Sequence, residues 1–253
     1  MKKAYILHHL GLGDHIACNG LYRYLSKKYD QLILPVKPHN YDSLSRMLLD
    51  LNNVQLKPLS DHGTTPEEDM IYYGNMLLNF SNLKYSHETC DIIRLGHYGA
   101  SFNITSECRF DEAFYNQLNI PFVESWDGFQ VPRDISSEKS LFNKICGHGN
   151  EEKYIFLHED PSRRDLINRA LIESDLPVIT PGLSKQHVLG QDDGINFFDY
   201  RYILENAKEI HCIESSFSIF IDRINTVAKK NLHVYTRYSQ APPTLKSDWN
   251  VYK

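Results

Sequence analysis

The feature that most constrains this chain is a rhythm that runs along it twice: a short apolar run, a turn, then an amphipathic stretch of helical period. Apolar runs without alternation suit strands buried on both faces, and parallel strands need a crossover, usually a helix, to bring the chain back. The rhythm therefore predicts parallel sheets wrapped by helices. In the first series residues 4–10 read as a strand, residues 11–14 as a turn, and residues 15–29 as a helix with Ala17, Leu21, Tyr24 and Leu25 on one face. Residues 31–36 and 54–59 read as the next strands, with a helix over 41–51 between them. A helix over 66–80, a strand over 91–95 and a helix over 111–118 complete the series.

Periodicity lapses between Pro121 and Pro132, where Phe122, Trp126 and Phe129 are spaced by polar residues and Gly128. This sets the expected domains at residues 1–130 and 131–253. After a helix near 137–145 and the loop Gly147-His148-Gly149-Asn150, the second series has strands over 154–157, 177–180, 209–213 and 232–235. Helices are expected over 166–173, 200–206 and 215–227. The tail from residue 241 is Pro-rich and then polar, with Trp249 placed to dock back on the body.

A length of 253 residues accommodates one large domain or two small ones, and 42% apolar with 23% charged residues is the balance of a globular protein, which excludes disorder. A net charge of −5 gives no general attraction to nucleic acid. The apolar stretch 4–7 after Lys2 and Lys3 is too short for a signal core and is interrupted by His8 and His9. No segment approaches the ~18 apolar residues of a membrane span. The five cysteines are scattered without a C-x-x-C pair, so neither a disulfide framework nor a zinc site is indicated. A cytoplasmic location is the expectation, and the sequons at Asn79 and Asn103 are read as chance.

Two turns join strand to helix in a way that invites a ligand. The first is His8-His9-Leu10-Gly11-Leu12-Gly13-Asp14-His15. Glycines let a ligand approach the backbone and leave N–H groups pointing at it. A dinucleotide fingerprint needs a third glycine where Ile16 stands, and a Walker lysine is absent. What distinguishes the turn is Asp14 at its mouth, for which two readings stand: a base that takes a proton from an attacking hydroxyl, or a helix cap. The second turn is Glu214-Ser215-Ser216-Phe217-Ser218, where converging hydroxyls and N–H groups suit a diphosphate. An N-cap serine beside a glutamate is the plain alternative.

A third segment, His158-Glu159-Asp160-Pro161-Ser162-Arg163-Arg164, follows the first strand of the second series. Arg163 suits a bidentate clamp on phosphate and His158 a further donor, against the alternative of a solvated turn with surface ion pairs. Asp192-Asp193, in a loop with no strand before it, reads as a turn, and no metal site is expected.

The run Leu10-Gly11-Leu12-Gly13-Asp14-His15 followed by a helix resembles the amino-terminal glycine-aspartate turn of GT-B glycosyltransferases such as the heptosyltransferases. Ser215-Ser216-Phe217-Ser218 after a strand resembles the donor-side motif of GT-B fucosyltransferases. Phe114-Tyr115, Trp126, Arg133-Asp134 and His158-Glu159-Asp160 are similar to small glycosyltransferase-like proteins of bacteria and large viruses. The resemblance implies an α/β fold of two Rossmann-like lobes facing each other across a cleft, acceptor side first and nucleotide-sugar side second. It implies an inverting, metal-independent glycosyltransferase that moves a hexosyl, deoxyhexosyl or pentosyl group from a nucleotide-diphosphate sugar to a glycan or other hydroxyl. No cofactor is needed beyond that donor. Asp14 is then the catalytic base. Gly13 and His15 in the first lobe are implied donor contacts, as are His158, Arg163, Glu214, Ser215, Ser216 and Phe217 in the second. Rival readings are a nucleotide-sugar epimerase or hydrolase on the same fold and a non-catalytic nucleotide- or sugar-binding module. An oxidoreductase is disfavoured by Ile16.

Overall fold

The structure, a computed structural model, describes residues 1–59, 90–98, 108–147, 153–181, 195–233 and 244–252. The expected helix over 66–80, the sequons at Asn79 and Asn103, His148 to Asn150 of the expected loop, and Asp192 and Asp193 lie outside these residues. The chain divides into two compact units, Met1–Asn103 with Asp111–Pro132, and Ile104–Phe110 with Arg133–Lys253. No described helix is long and apolar enough to cross a membrane.

The first unit is built on a four-stranded sheet in the order β3-β2-β1-β4, formed by β1 (Lys3–Leu7), β2 (Gln31–Val36), β3 (Val54–Pro58) and β4 (Cys90–Arg94). All pairings are parallel, with Ala4 opposite Leu32 on one side and Asp91 on the other. Ala4, Tyr5, Ile6 and Leu7 are all buried, as the unalternating run requires of a strand covered on both faces. The chain moves outward from β1 through β2 to β3, then returns to place β4 on the other side of β1. The carboxyl ends of β1 and β4 therefore flank a topological switch point, where open α/β sheets bind ligands.

The helix expected over 15–29 is two helices, α1 (Leu12–Ala17) and α2 (Asn19–Ser26), broken at Cys18. The break has a physical cause in α4 (Phe110–Asn116), which follows α3 (Tyr41–Met47) among the described helices. The Tyr115 hydroxyl of α4 donates to Ala17 O at 2.8 Å and accepts from Leu21 N at 3.2 Å. An unbroken helix would join those two backbone groups directly, so the hydroxyl is inserted into the ladder. Tyr115→Phe leaves both groups buried and unsatisfied and should cost about 1–3 kcal/mol, measurable by urea denaturation. A variant as stable as the parent would show that the helix re-forms across Cys18.

The second unit carries a five-stranded parallel sheet in the order β6-β5-β7-β8-β9. Its strands are β5 (Ile155–His158), β6 (Val178–Ile179), β7 (Glu209–Ile213), β8 (Lys229–His233) and β9 (Trp249–Val251). Here the chain passes from β5 to β6 on one side and then to β7 on the other, so the switch point lies between β5 and β7. Among the described residues the rest of the chain adds the helices α5 (Glu124–Asp127), α6 (Ile135–Cys146), α7 (Arg201–Asn206) and α8 (Ser216–Ile221). Phe156, Phe197, Phe217 and Phe220 pack their rings beneath the sheet, with centroids 4.8–5.7 Å apart along the chain of contacts.

Three expectations for this unit are corrected. The helix expected over 166–173 is a single 3₁₀ turn, Arg169–Leu171, and the Asn168 side chain takes the Ala170 N–H that a continuous helix would give to the carbonyl of residue 166. Asn168 accepts from Ala170 N at 3.0 Å, and Glu159 accepts from Ile167 N at 3.0 Å. The helix expected over 215–227 stops at Ile221. Beyond it the Thr226 hydroxyl donates to Leu204 O and accepts from Ala228 N, turning the chain into β8. The tail adds a fifth strand beyond the one expected to be last. Asp222, buried, holds that tail by accepting from Lys246 N and, at 3.0 Å, from Trp249 Nε1.

Candidate functional site

At the first switch point β1 ends at Leu7, and two histidines follow with opposite fates. His8 turns inward and is wholly buried. Its Nε2 lies 2.8 Å from the Tyr22 hydroxyl, which lies 3.0 Å from His15 Nδ1, and the two imidazoles meet edge to face at 4.4 Å. Burial, helped by neighbouring His15, pushes His8 well below the usual imidazole range. Burial and then Lys37 bring His15 to about 3. The triad is a neutral, buried brace under the turn. His15, expected to touch the donor, is fully enclosed in the first unit and gives its Nδ1 to Tyr22 instead.

His9 stays at the rim with Asp14. The His9 Nδ1 atom is 3.7 Å from Asp14 Oδ1, and both side chains are about one-fifth exposed, at 18% and 19%. Asp14 does not cap its helix: the N-cap is Gly11, and Asp14 is the third residue of α1. Its carboxylate folds back over the turn, so a Cβ on Gly11 would stand 2.6 Å from Asp14 Oδ2. A side chain at position 11 would therefore displace the Asp14 carboxylate from this place. Gly13 lies in the first turn of α1, partly exposed.

At the second switch point the carboxyl ends of β5 and β7 lie side by side, with His158 opposite Cys212. His158 is buried and its Nδ1 is 3.2 Å from Ser215 Oγ, while its ring packs on Phe217 at 4.6 Å. Burial brings His158 down to about 4, against the opposing pull of Asp160 and Glu159. A neutral ring leaves one donor on this pair in either tautomer. If Ser215 donates to Nδ1, the Nε2–H remains; if Nδ1–H donates to Ser215, the hydroxyl proton remains. The Ser215 backbone N–H is taken by Ser218 Oγ at 2.9 Å. Ser216 is partly exposed, and Phe217 is buried in the ring cluster.

Glu214 is almost completely buried, and its Oε1 accepts from Arg109 Nη2. Its Oε2 accepts no hydrogen bond from the described residues. Arg109 is a site residue that sequence reasoning missed, since it stands more than a hundred positions before Glu214 in a stretch without periodicity. Arg163 lies in the 3₁₀ turn Pro161–Arg163 after β5, 58% exposed, with its Nε 3.6 Å from Asp160 Oδ2. It stands on the carboxyl edge, like His158. A groove of about 550 Å³ lined by Lys229, Lys246 and Trp249 lies instead at the amino ends of β8 and β9, the edge where parallel sheets do not place their ligands. Among the described residues no group of three or more His, Cys, Asp or Glu is placed to hold a metal.

No family profile matches the sequence, and none of the curated proteins matches it. Among solved structures, the glycosyl transferase family 9 protein from Veillonella parvula DSM 2008 is similar with a TM-score of 0.58 at 8% identity, over 99% of this chain and 86% of that one. The ADP-heptose LPS heptosyltransferase II of E. coli is similar with a TM-score of 0.52 at 13% identity, over 99% of this chain and 90% of that one. The fold is that of the GT-B glycosyltransferases: α/β, with two Rossmann-like parallel-sheet units.

Proposed function

We propose that this GT-B chain transfers a sugar from a nucleotide-diphosphate sugar to a hydroxyl acceptor, with inversion and without a metal clamp. The observation that carries the reading is the pairing of His158 with Ser215 at one switch point, while an acid of limited exposure, Asp14, stands at the other. Asp14 serves the acceptor and the His158–Ser215 edge serves the donor. The acceptor oxygen bonds to the anomeric carbon as its proton passes to Asp14. The bond from that carbon to the diphosphate breaks on the opposite face, and the diphosphate leaves with the electron pair. The remaining donor of the His158–Ser215 pair and the Arg163 guanidinium stabilise it. Glu214, held by Arg109 through one oxygen, offers the other to a ribose or sugar hydroxyl. The cytoplasm is the proposed location, since five scattered cysteines without a C-x-x-C pair make no disulfide framework.

The test is a thermal-shift panel of UDP, GDP, ADP, CDP and their sugars, because a ligand at a hundred times its Kd stabilises the native state by about 2.7 kcal/mol. Selective stabilisation by one base is expected, followed by release of that nucleoside diphosphate from its sugar in the presence of acceptors and EDTA. Stabilisation by none of them sinks the reading. Arg163→Ala should weaken binding of the selected nucleotide by about 1.5–3 kcal/mol, tenfold or more in Kd, if it bonds phosphate. Unchanged affinity removes Arg163 from the site.

A further inference from the structure

The rim of the first switch point holds a second titratable group beside Asp14, the imidazole of His9. His9 is fixed from several sides. Its ring stacks on His97 at 4.8 Å and meets Phe114 edge to face at 5.5 Å, with Tyr98 at 6.3 Å. Below it lies Gly96, whose φ of +63° suits glycine and whose Cβ, if present, would stand 2.5 Å from His9 Nε2. Gly96 is clamped in turn by Gln117, which accepts from its N–H at 2.7 Å and donates to its carbonyl at 3.0 Å.

The decisive contact is with the backbone. The His97 N–H donates to His9 Nε2 at 3.2 Å. A nitrogen that accepts a hydrogen bond carries no proton, so the proton of the neutral ring is on Nδ1. That is the atom facing Asp14 Oδ1, 3.7 Å away. The separation is longer than a hydrogen bond, as is common for catalytic pairs before substrate binds. We propose that His9 is a positioning residue for Asp14: a backbone amide locks its tautomer so that Nδ1–H is presented to one carboxylate oxygen, leaving the other to receive the acceptor proton. This rests on the reading of Asp14 as the base. His9 keeps its own proton throughout, and the acceptor proton ends on Asp14.

The test compares His9→Phe, which keeps a ring against Phe114 and His97, with His9→Asn, whose amide N–H reaches the place of Nδ1–H. Nitrogen-15 NMR of the parent should show His9 protonated at Nδ1 and bare at Nε2. With the sugar nucleotide selected by the thermal-shift panel, His9→Phe should lower kcat about 10- to 100-fold at unchanged KM, the usual cost of misplacing a reacting group. His9→Asn should recover most of that loss. A purely structural role would lower melting temperature in both variants alike and spare kcat. An Nε2-protonated ring, an unchanged kcat in His9→Phe, or equal losses in both variants overturns the proposal. A parent protein that turns over no sugar nucleotide overturns the transferase reading instead, and the nitrogen spectrum still decides whether His9 presents Nδ1–H to Asp14.

Discussion

Asp14→Asn is expected to lower turnover by about 10²–10⁴-fold, the worth of a positioned general base, while nucleotide binding and melting temperature stay near those of the parent. The structure sharpens this expectation. Because Gly11 is the N-cap, substitution of Asp14 removes no cap, and the two readings that the sequence left open separate cleanly. The amide fits the same space over Gly11, so its loss of basicity is the main change. At most the favourable charge in the first turn of α1 is lost, about 0.3–1 kcal/mol. The measurement is steady-state release of nucleoside diphosphate, with binding followed separately by thermal shift. A kcat near that of the parent would end the catalytic role of Asp14 whatever the fold.

The second large effect is loss of stability in mild acid. His8, His15 and His158 are buried as neutral rings, and burial is the first cause of the downward shift in each, to about 3 for His15 and about 4 for His158. In the unfolded chain each takes up a proton near pH ~6.5. Between that value and the folded ones the unfolded state binds more protons, so stability is full above pH ~6.5 and falls as pH falls. Each such histidine costs about 1.4 kcal/mol per pH unit across that window. His8 and His15 act on the first unit and His158 on the second, all in the same direction. His233, also brought to about 4 by burial and by neighbouring His211, acts in the same direction. Circular-dichroism melts from neutral pH down to pH ~4.5 should show a steep fall beginning near pH ~6.5. A melting temperature that stays flat to pH ~5 would mean that these rings are protonated or hydrated in the native state.

How much of this was legible in the sequence varies element by element, for physical reasons. Strands β2 and β7 match their expected spans residue for residue, because each is a short, mostly apolar segment that ends where a turn or helix signal begins. Helix ends were less legible. The break at Cys18 depends on a hydroxyl delivered by Tyr115, and in the 166–173 segment the Asn168 side chain takes the Ala170 N–H that a helix would use. Such partners are distant in sequence or too few to alter a periodic pattern. β9 carried no strand signal, and its pairing rests on β8 and on the Asp222 anchor.

For the candidate sites the division is the same. The sequence by itself determined that acids and small hydroxyl residues stand where strands give way to helices, since the order of residues along one strand–turn–helix unit is a local property. It also determined that the units are parallel α/β, because hydrophobic period is local too. Only the tertiary structure decided which strands lie next to each other, hence where the switch points fall, and that His158 therefore reaches Ser215 across them. It alone decided that His15 points inward while His9 faces Asp14, and that Arg109 meets Glu214. These are contacts between groups separated by a few to more than a hundred residues. Their formation is governed by strand order, burial and the direction of a side chain on its element, none of which a one-dimensional pattern contains.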